Sequence, residues 1–466
     1  MTDRINVDRA AGALVGMAAG DALGAGYEFG SPLADDTPVH MAGGGGFNWA
    51  PGEWTDDTSM AVSIARTLAA RGRDTLNPAS EALDEIVTAW AEWAETAKDV
   101  GIQTRAVLGR MTAPTGANAR AAAQAVHSVT GRSAGNGSLM RTGPVALGYI
   151  DDPDGLAIAA RAVSDLTHFE ADAGDACVLW SFAIRHAILT GEMNVRVGMP
   201  YLPEDRRGRW LDIIDVAEQE QPRDFEHNGW VVEALQGAWS AIYHSNGFVD
   251  ALERAVRGGR DTDTVAAIAG SLIGAATGVS GIPARWRRLL HGWPGMHVRD
   301  LVDLAVLAVR GADKTGWPLA DHFPPSGADT LVQHPHDTGV WMGSLAALRH
   351  LPPEVDAVIS LCRVGRKETE LATVEFWLVD RPGANTHLRF VLEDAADTIA
   401  ALRAEGRTVF LHCFEGRSRT PAVAAVYSAQ HIGIPANQAL DEVLAALPGN
   451  HLNREFHELI AAMATQ

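Results

Sequence analysis

Arg260-Asp261-Thr262-Asp263-Thr264-Val265-Ala266-Ala267-Ile268-Ala269-Gly270-Ser271-Leu272-Ile273-Gly274-Ala275-Ala276-Thr277-Gly278 decides how the first two thirds of the chain are read. The twenty residues from Val265 to Ala284 carry no charge and contain Gly270-x-x-x-Gly274-x-x-x-Gly278. That length and spacing fit a membrane helix that dimerises, and equally a tightly packed core helix of a globular protein. Gly, Ala, Ser and Thr dominate and large apolar side chains are few, which favours the core helix. The Asp-Thr-Asp-Thr before it is most simply an N-cap, because Asp and Thr oxygens accept the free N–H groups of a first helical turn.

A second start of the same kind, Thr55-Asp56-Asp57-Thr58, precedes MAVSIARTLAARG. Each start has more acids than a cap needs, and neighbouring carboxylates repel unless something positive lies between them. All the donors are hard oxygens, the ligand set of Mg²⁺ or Mn²⁺ and not of zinc. Four carboxylates and two or three hydroxyls suit two ions if the fold brings the starts together.

The rest of the composition narrows the setting. The chain has 466 residues, room for two or three domains. It carries 38 basic against 58 acidic side chains, a net charge of −20, which disfavours nucleic-acid and anionic-lipid surfaces. Cys177, Cys362 and Cys413 are too few for a disulfide framework, so a reducing cytoplasm is expected. The first residues hold Asp3 and Asp8 and a run of mostly Ala and Gly, unlike a signal peptide.

Residues 1–312 read as helix after helix, for example Thr58–Arg71, Ala79–Ala97, Ala119–Val129, Asp172–Thr190, Trp230–Ser245 and Asp300–Arg310. Residues 313–335 hold most of a Pro-rich stretch without helical period and are expected to be a linker. From 336 to 466 the texture changes. Ala357–Cys362 and Thr408–Cys413 are short apolar runs, and Leu388–Glu405 and Pro421–Gly433 are helical. The expected architecture is therefore an all-α domain followed by an α/β domain with a mainly parallel sheet covered on both faces.

Further polar islands lie in the helical part: Gly20-Asp21-Ala22-Leu23-Gly24 leading to Glu28, Lys98-Asp99-Val100-Gly101, the turn Gly135-Asn136-Gly137-Ser138-Leu139-Met140-Arg141, and His168. GDALGAGYEF, WTDDT, KDVG, GNGSLMR, the Thr-His at 168 and GGRDTDTVAAIAGSLIGA, in that order, resemble the ADP-ribosylglycohydrolases of the dinitrogenase-reductase-activating type over residues 8 to 310. The resemblance implies an all-helical domain with two Mg²⁺ or Mn²⁺ ions. It makes Thr55, Asp56, Asp57, Asp261, Asp263 and Thr264 the metal ligands and gives Glu28 and Asp99 catalytic roles. Asn136, Gly137, Ser138, Leu139, Met140 and His168 would hold ADP-ribose. Arg260 departs from the pattern and is expected to alter charge beside the metals.

The second constellation is His412-Cys413-Phe414-Glu415-Gly416-Arg417-Ser418-Arg419-Thr420-Pro421, between a β-run and a helix. A short loop at a helix N-terminus turns its N–H groups inward, so Glu415, Gly416, Arg417 and Ser418 would cradle a phosphate dianion. Arg419 and that field would keep Cys413 a thiolate, able to attack phosphorus. HCFEGRSRTP resembles the dual-specificity branch of the protein tyrosine phosphatases, a likeness extended over 336–466. It implies that Cys413 forms the phosphocysteine, Arg419 grips the phosphate and Thr420 aids breakdown. A general acid is expected about thirty residues upstream, where Asp380 fits. Cys362 ends a neighbouring strand and is a candidate disulfide partner of Cys413 under oxidation.

The function expected is a bifunctional hydrolase. One domain would cut an ADP-ribosyl bond in a protein or small ADP-ribose derivative, and the other a phosphomonoester in a phosphorylated substrate, without membrane or nucleic-acid binding. The alternative keeps the glycohydrolase and makes the second domain a binder of a phosphorylated partner.

Overall fold

In the computed structural model, residues 5–72, 75–312, 329–363, 369–447 and 449–463 are described. They fall into two compact units, one comprising Met1–Ile282 and Leu289–Leu319, the other Pro283–Arg288 and Ala320–Gln466. Most of the stretch expected to be a linker lies outside the described residues. Its end is corrected: Leu331–His334 is a strand, because its backbone pairs with Asp337–Ser344.

The first unit is helical, with one two-residue antiparallel pairing at 291–292 and 296–297. Three helices position its site: α1 (Val7–Gly24), α2 (Asp56–Arg71) and α3 (Thr262–Thr277). The other expected helices are present with shifted ends. Ser80 accepts the Ala82 N–H at 3.1 Å and starts one at Glu81; Thr115 accepts the Asn118 N–H at 3.3 Å and starts another at Gly116.

The glycine spacing of α3 has a partner in α1, and the two run antiparallel. A Cβ on Gly12 would lie 2.1 Å from Gly274 O, on Gly16 2.3 Å from Gly270 O, and on Gly20 2.0 Å from Ala266 O. No side chain fits in that seam, so the two backbones touch along their length. The core-helix reading of 265–284 therefore holds within this seam, and no helix among the described residues is long and apolar enough to cross a membrane. At the end of the seam Gly24 meets Asp263, where a Cβ would lie 2.4 Å from Asp263 Cα. Close packing thus delivers the C-terminal end of α1 to the acidic start of α3.

The second unit holds a five-stranded sheet of β1 (Leu331–His334), β2 (Asp337–Ser344), β3 (Ala357–Ser360), β4 (Ala372–Glu375) and β5 (Val409–Cys413), in the order β1-β2-β5-β3-β4. β1 and β2 pair antiparallel and the remaining three pairs are parallel, as expected of a mainly parallel sheet. Central β5 is buried throughout, and its side chains alternate between two cores. Val409, Leu411 and Cys413 share one with α4 (Leu388–Ala404) and α5 (Arg419–Tyr427). Phe410 joins Val358, Ala347 and Val355 on the other face. The helices α4 and α5 therefore share one face, while a 3₁₀ segment, Leu345–Arg349, covers the opposite one.

Candidate functional site

The two acidic starts do not cap their own helices. Thr55 and Asp261 occupy the N-cap positions of α2 and α3, yet neither side chain makes a capping bond. For α2 that work is done by Asp21, whose Oδ1 accepts the Thr55 N–H at 2.8 Å and whose Oδ2 accepts the Thr58 N–H at 3.0 Å. The capping expectation is thereby corrected at both starts, and their carboxylates are left free to converge.

They converge in two overlapping groups. Carboxylate oxygens of Asp21, Asp57 and Asp263 lie within 4.8 Å of one another, and so do those of Glu28, Asp261 and Asp263. Thr55 Oγ1 donates to Asp57 Oδ2 at 2.9 Å, and the Gly101 N–H donates to Asp56 Oδ2 at 3.4 Å. The Thr264 N–H donates to Asp263 Oδ1 at 3.0 Å. Buried Asp57 Oδ1 has no hydrogen-bond partner. Burial first, and then the neighbouring carboxylates, push Glu28 and Asp56 to about 8 and hold Asp57 and Asp263 well above the ordinary range. Burial also raises Asp21 to about 6 and lifts Asp261 and Asp99. An orphaned buried carboxylate oxygen among clustered acids fits a hard divalent cation.

Around this cluster the sequence expectations divide. Asn136 belongs to it, because its Nδ2 donates to Asp261 Oδ2 at 2.8 Å. Asp99 faces it, raising Glu28 and Asp56 by its charge. Leu139 and Met140 are core residues, and their N–H groups both donate to Asn136 O, at 2.9 and 3.1 Å. His168 is 2% exposed and lies behind the turn: a Cβ on Gly137 would be 3.0 Å from its ring. Burial and Arg141 hold its pKa well below the ordinary value, so this ring supports the turn as a neutral group. Ser138 is buried too, beside Cys177. Arg260 directs its Nη1 to Arg223 O at 3.1 Å and its Nη2 toward Glu226 at 3.7 Å. Its backbone sits at φ +64°, in the left-handed region.

Sequence reasoning left two side chains out of the site. Asp21 stood within the polar island Gly20–Gly24 but was given no role, and its burial at the end of the seam is what marks it. Asn228 accepts the Asp261 N–H at 3.2 Å and donates to Gly259 O at 3.0 Å, fixing the approach to α3. No pattern around Asn228 announces that role.

In the second unit Cys413 ends β5 and is buried. The loop turns at Gly416, φ +75°, where a Cβ would lie 2.8 Å from Gly343 O, and the Gly416 N–H donates to Cys413 Sγ at 3.2 Å. Arg419 opens α5, and its Nη1 donates to Leu361 O and Leu378 O, both at 3.1 Å. Buried Arg419 Nε has no partner. Asp380 is brought to the loop: Ser418 Oγ donates to its Oδ1 at 2.8 Å, and Asn453 Nδ2 at 3.3 Å. Asn453, which sequence reasoning also missed, ties both ends of that contact, since its N–H donates to Ser418 Oγ at 3.1 Å. The Glu415 and Arg417 side chains are exposed and face each other at 3.8 Å, so the loop's inward groups are backbone ones. Thr420 is buried and donates to Gly343 O at 3.3 Å. His412 stacks on Phe410 and is lowered to about 4 by burial. Cys362 and Cys413 are both free thiols, and burial pushes Cys362 up to about 11.

Comparison with known proteins bears on the first unit. The chain is 34% identical over 294 residues to an ADP-ribosylarginine hydrolase, Tri1, of Pseudomonas putida, covering 61% of this chain and 75% of that protein. It is 31% identical to the ADP-ribosyl-[dinitrogen reductase] glycohydrolase of Rhodospirillum rubrum, over 66% and 98% of the two chains. A solved ADP-ribosylglycohydrolase-related protein complex matches with a TM-score of 0.51 at 30% identity, over 67% of this chain and 99% of that one. Residues 1–316, more than half of the chain, match the family model of ADP-ribosylglycohydrolase, and the chain belongs to that family.

Proposed function

We propose that the first unit hydrolyses the bond between ADP-ribose and an arginine side chain, with two Mg²⁺ or Mn²⁺ ions. The observation that carries this is the convergence of Asp21, Asp57, Asp261, Asp263 and Glu28 at the starts of two helices whose own N-cap side chains make no capping bond. Thr55, Asp56, Asp57, Asp261, Asp263 and Thr264 would hold the ions, with Asp21 now added to the set. Bound there, the ions supply Lewis acidity at the ribose hydroxyls and offset the carboxylate charge. Asn136 holds Asp261, and the 136–138 turn, braced by His168, presents its backbone to the ligand. Glu28, beside Asp261 and Asp263, takes the proton from the attacking water, and Asp99 returns a proton to the departing guanidine nitrogen. The choice of arginine rests on the named activity of the Pseudomonas putida relative. The test is release of ADP-ribose from ADP-ribosyl-arginine with added Mg²⁺ or Mn²⁺. Loss of release in a folded Asp263→Asn variant is expected, and full turnover in that variant would overturn the metal assignment.

A second activity is favoured by the Cys413 loop. The Cys413 thiolate attacks phosphorus, Asp380 protonates the departing oxygen, and water then releases phosphate from the phosphocysteine. Gly416, Ser418 and Arg419 supply the cradle, and Thr420 fixes the start of α5 against β2. A domain that only binds a phosphorylated partner needs neither a nucleophile nor a tethered acid. Hydrolysis of p-nitrophenyl phosphate by the full chain, lost in Cys413→Ser, distinguishes the two readings.

A further inference from the structure

Phe29 combines two properties that rarely coincide: its side chain is 70% exposed, and its backbone sits at φ +64°, a region that bulky residues avoid. The conformation is held by a pair of backbone bonds across to the start of α3. Phe29 N–H donates to Arg260 O at 2.6 Å, and Arg260 N–H donates to Gly30 O at 2.7 Å. Phe29 follows Glu28 directly and Arg260 precedes Asp261 directly, so this clasp ties the aromatic ring to two acids of the cluster. Strain of this kind persists where surrounding structure enforces it, typically at functional sites.

The ring is the end of an aromatic row. Phe47 meets it edge-on, with centroids 6.3 Å apart, and Trp49 follows at 6.1 Å from Phe47. The loop carrying Phe47 and Trp49 is pressed against the turn that carries Glu28. A Cβ on Gly26 would lie 2.3 Å from Gly43 O, and one on Gly45 2.7 Å from Ala25 O. At the far end Lys98 Nζ sits 4.9 Å over the Trp49 ring and pairs with Glu53 at 2.6 Å. One end of the row thus already holds a cation, and the other end, at Phe29, is open beside Glu28.

We propose that Phe29, backed by Phe47, is the platform on which the guanidinium of an arginine-linked substrate stacks. A planar cation matches both features there: aromatic faces, and carboxylates of Glu28 and Asp261 that favour positive charge. The neutral glycosidic oxygen of a serine-linked substrate gains nothing from either. The platform makes Phe29 a specificity-determining residue for the leaving group. It rests on the reading of the first unit as an ADP-ribosyl-arginine hydrolase.

The test uses the full chain with saturating Mg²⁺ and two substrates, ADP-ribosyl-arginine and ADP-ribosyl-serine. Phe29→Asn removes the ring while suiting the left-handed backbone, and Phe29→Tyr keeps the ring. The ratio of kcat/KM, arginine-linked over serine-linked, is expected to fall about fivefold to tenfold in Phe29→Asn, through KM, and to recover in Phe29→Tyr. An unchanged ratio, whatever the absolute rates, overturns the platform alone. A wild-type chain that cleaves only the serine linkage overturns the arginine reading and the platform with it. A wild-type chain that cleaves neither overturns the glycohydrolase reading and the platform with it.

Discussion

The two units build their candidate sites at the same structural landmark, a helix N-terminus, with opposite charge. In the first, α2 and α3 begin with carboxylates that cap nothing and repel one another. In the second, α5 begins with Arg419, and the loop before it turns the Gly416 N–H toward Cys413. A helix N-terminus by itself favours an anion. In the function proposed above, the second unit uses that preference directly, and the first, whose position is filled with anions of its own, takes cations instead. The lesson is that a shared landmark acquires its chemistry from the side chains that the rest of the fold delivers to it.

The comparison breaks if the two sites are not chemically independent. Cys413→Ser is expected to lower phosphatase turnover by about 10³-fold or more and to leave ADP-ribosyl hydrolysis intact. Chelation of divalent ions should do the reverse, measured on the same preparation with both substrates. Asp380→Asn should cost about 10²-fold in phosphatase turnover and remove one limb of the pH–rate profile, as expected for a general acid. An unaltered profile would reduce Asp380 to a tether for Ser418.

Stability measurements sharpen the contrast further. Gly16→Val places a branched side chain against Gly270 O, and should destabilise the first unit by about 3 kcal/mol, read by denaturant unfolding. A pH effect is expected as well. Glu28 and Asp56 have folded pKa values raised to about 8, above the usual carboxylate value near 4. Their contribution to stability is complete below the unfolded value and is lost as pH rises through about 8. The chelated protein should therefore melt several degrees lower at pH 8.5 than at pH 5.5, and added Mg²⁺ should flatten that dependence. A chelated protein that is equally stable at both values would contradict the clustered acids.

Much of this was legible in the sequence, and the reasons differ by residue. The acids at 56, 57, 261 and 263 stood out because two helix starts carried more charge than a cap needs. The cradle at 413–419 was legible because a loop between strand and helix has a fixed length and few solutions. Asp21, Asn228 and Asn453 were not legible, because each is an ordinary polar residue whose role appears only when its partner arrives from far along the chain. The domain edge at 331–334 was misplaced because a four-residue edge strand next to prolines has too few residues to show a period. His168, Leu139 and Met140 were placed at the ligand by their motif, while packing turned their side chains to the interior.

By itself the sequence determined the local elements: where helices begin, which acids crowd a helix start, and that a cysteine and an arginine share one short loop. These follow from nearest-neighbour chemistry along the chain. Only the tertiary structure decided that Gly12, Gly16 and Gly20 dock on Gly274, Gly270 and Ala266, and hence that Asp21 and Asp263 meet. It likewise decided that Phe29 is left uncovered beside Glu28. Side-chain burial and carboxylate repulsion depend on distances in space, and no spacing along the chain sets those distances.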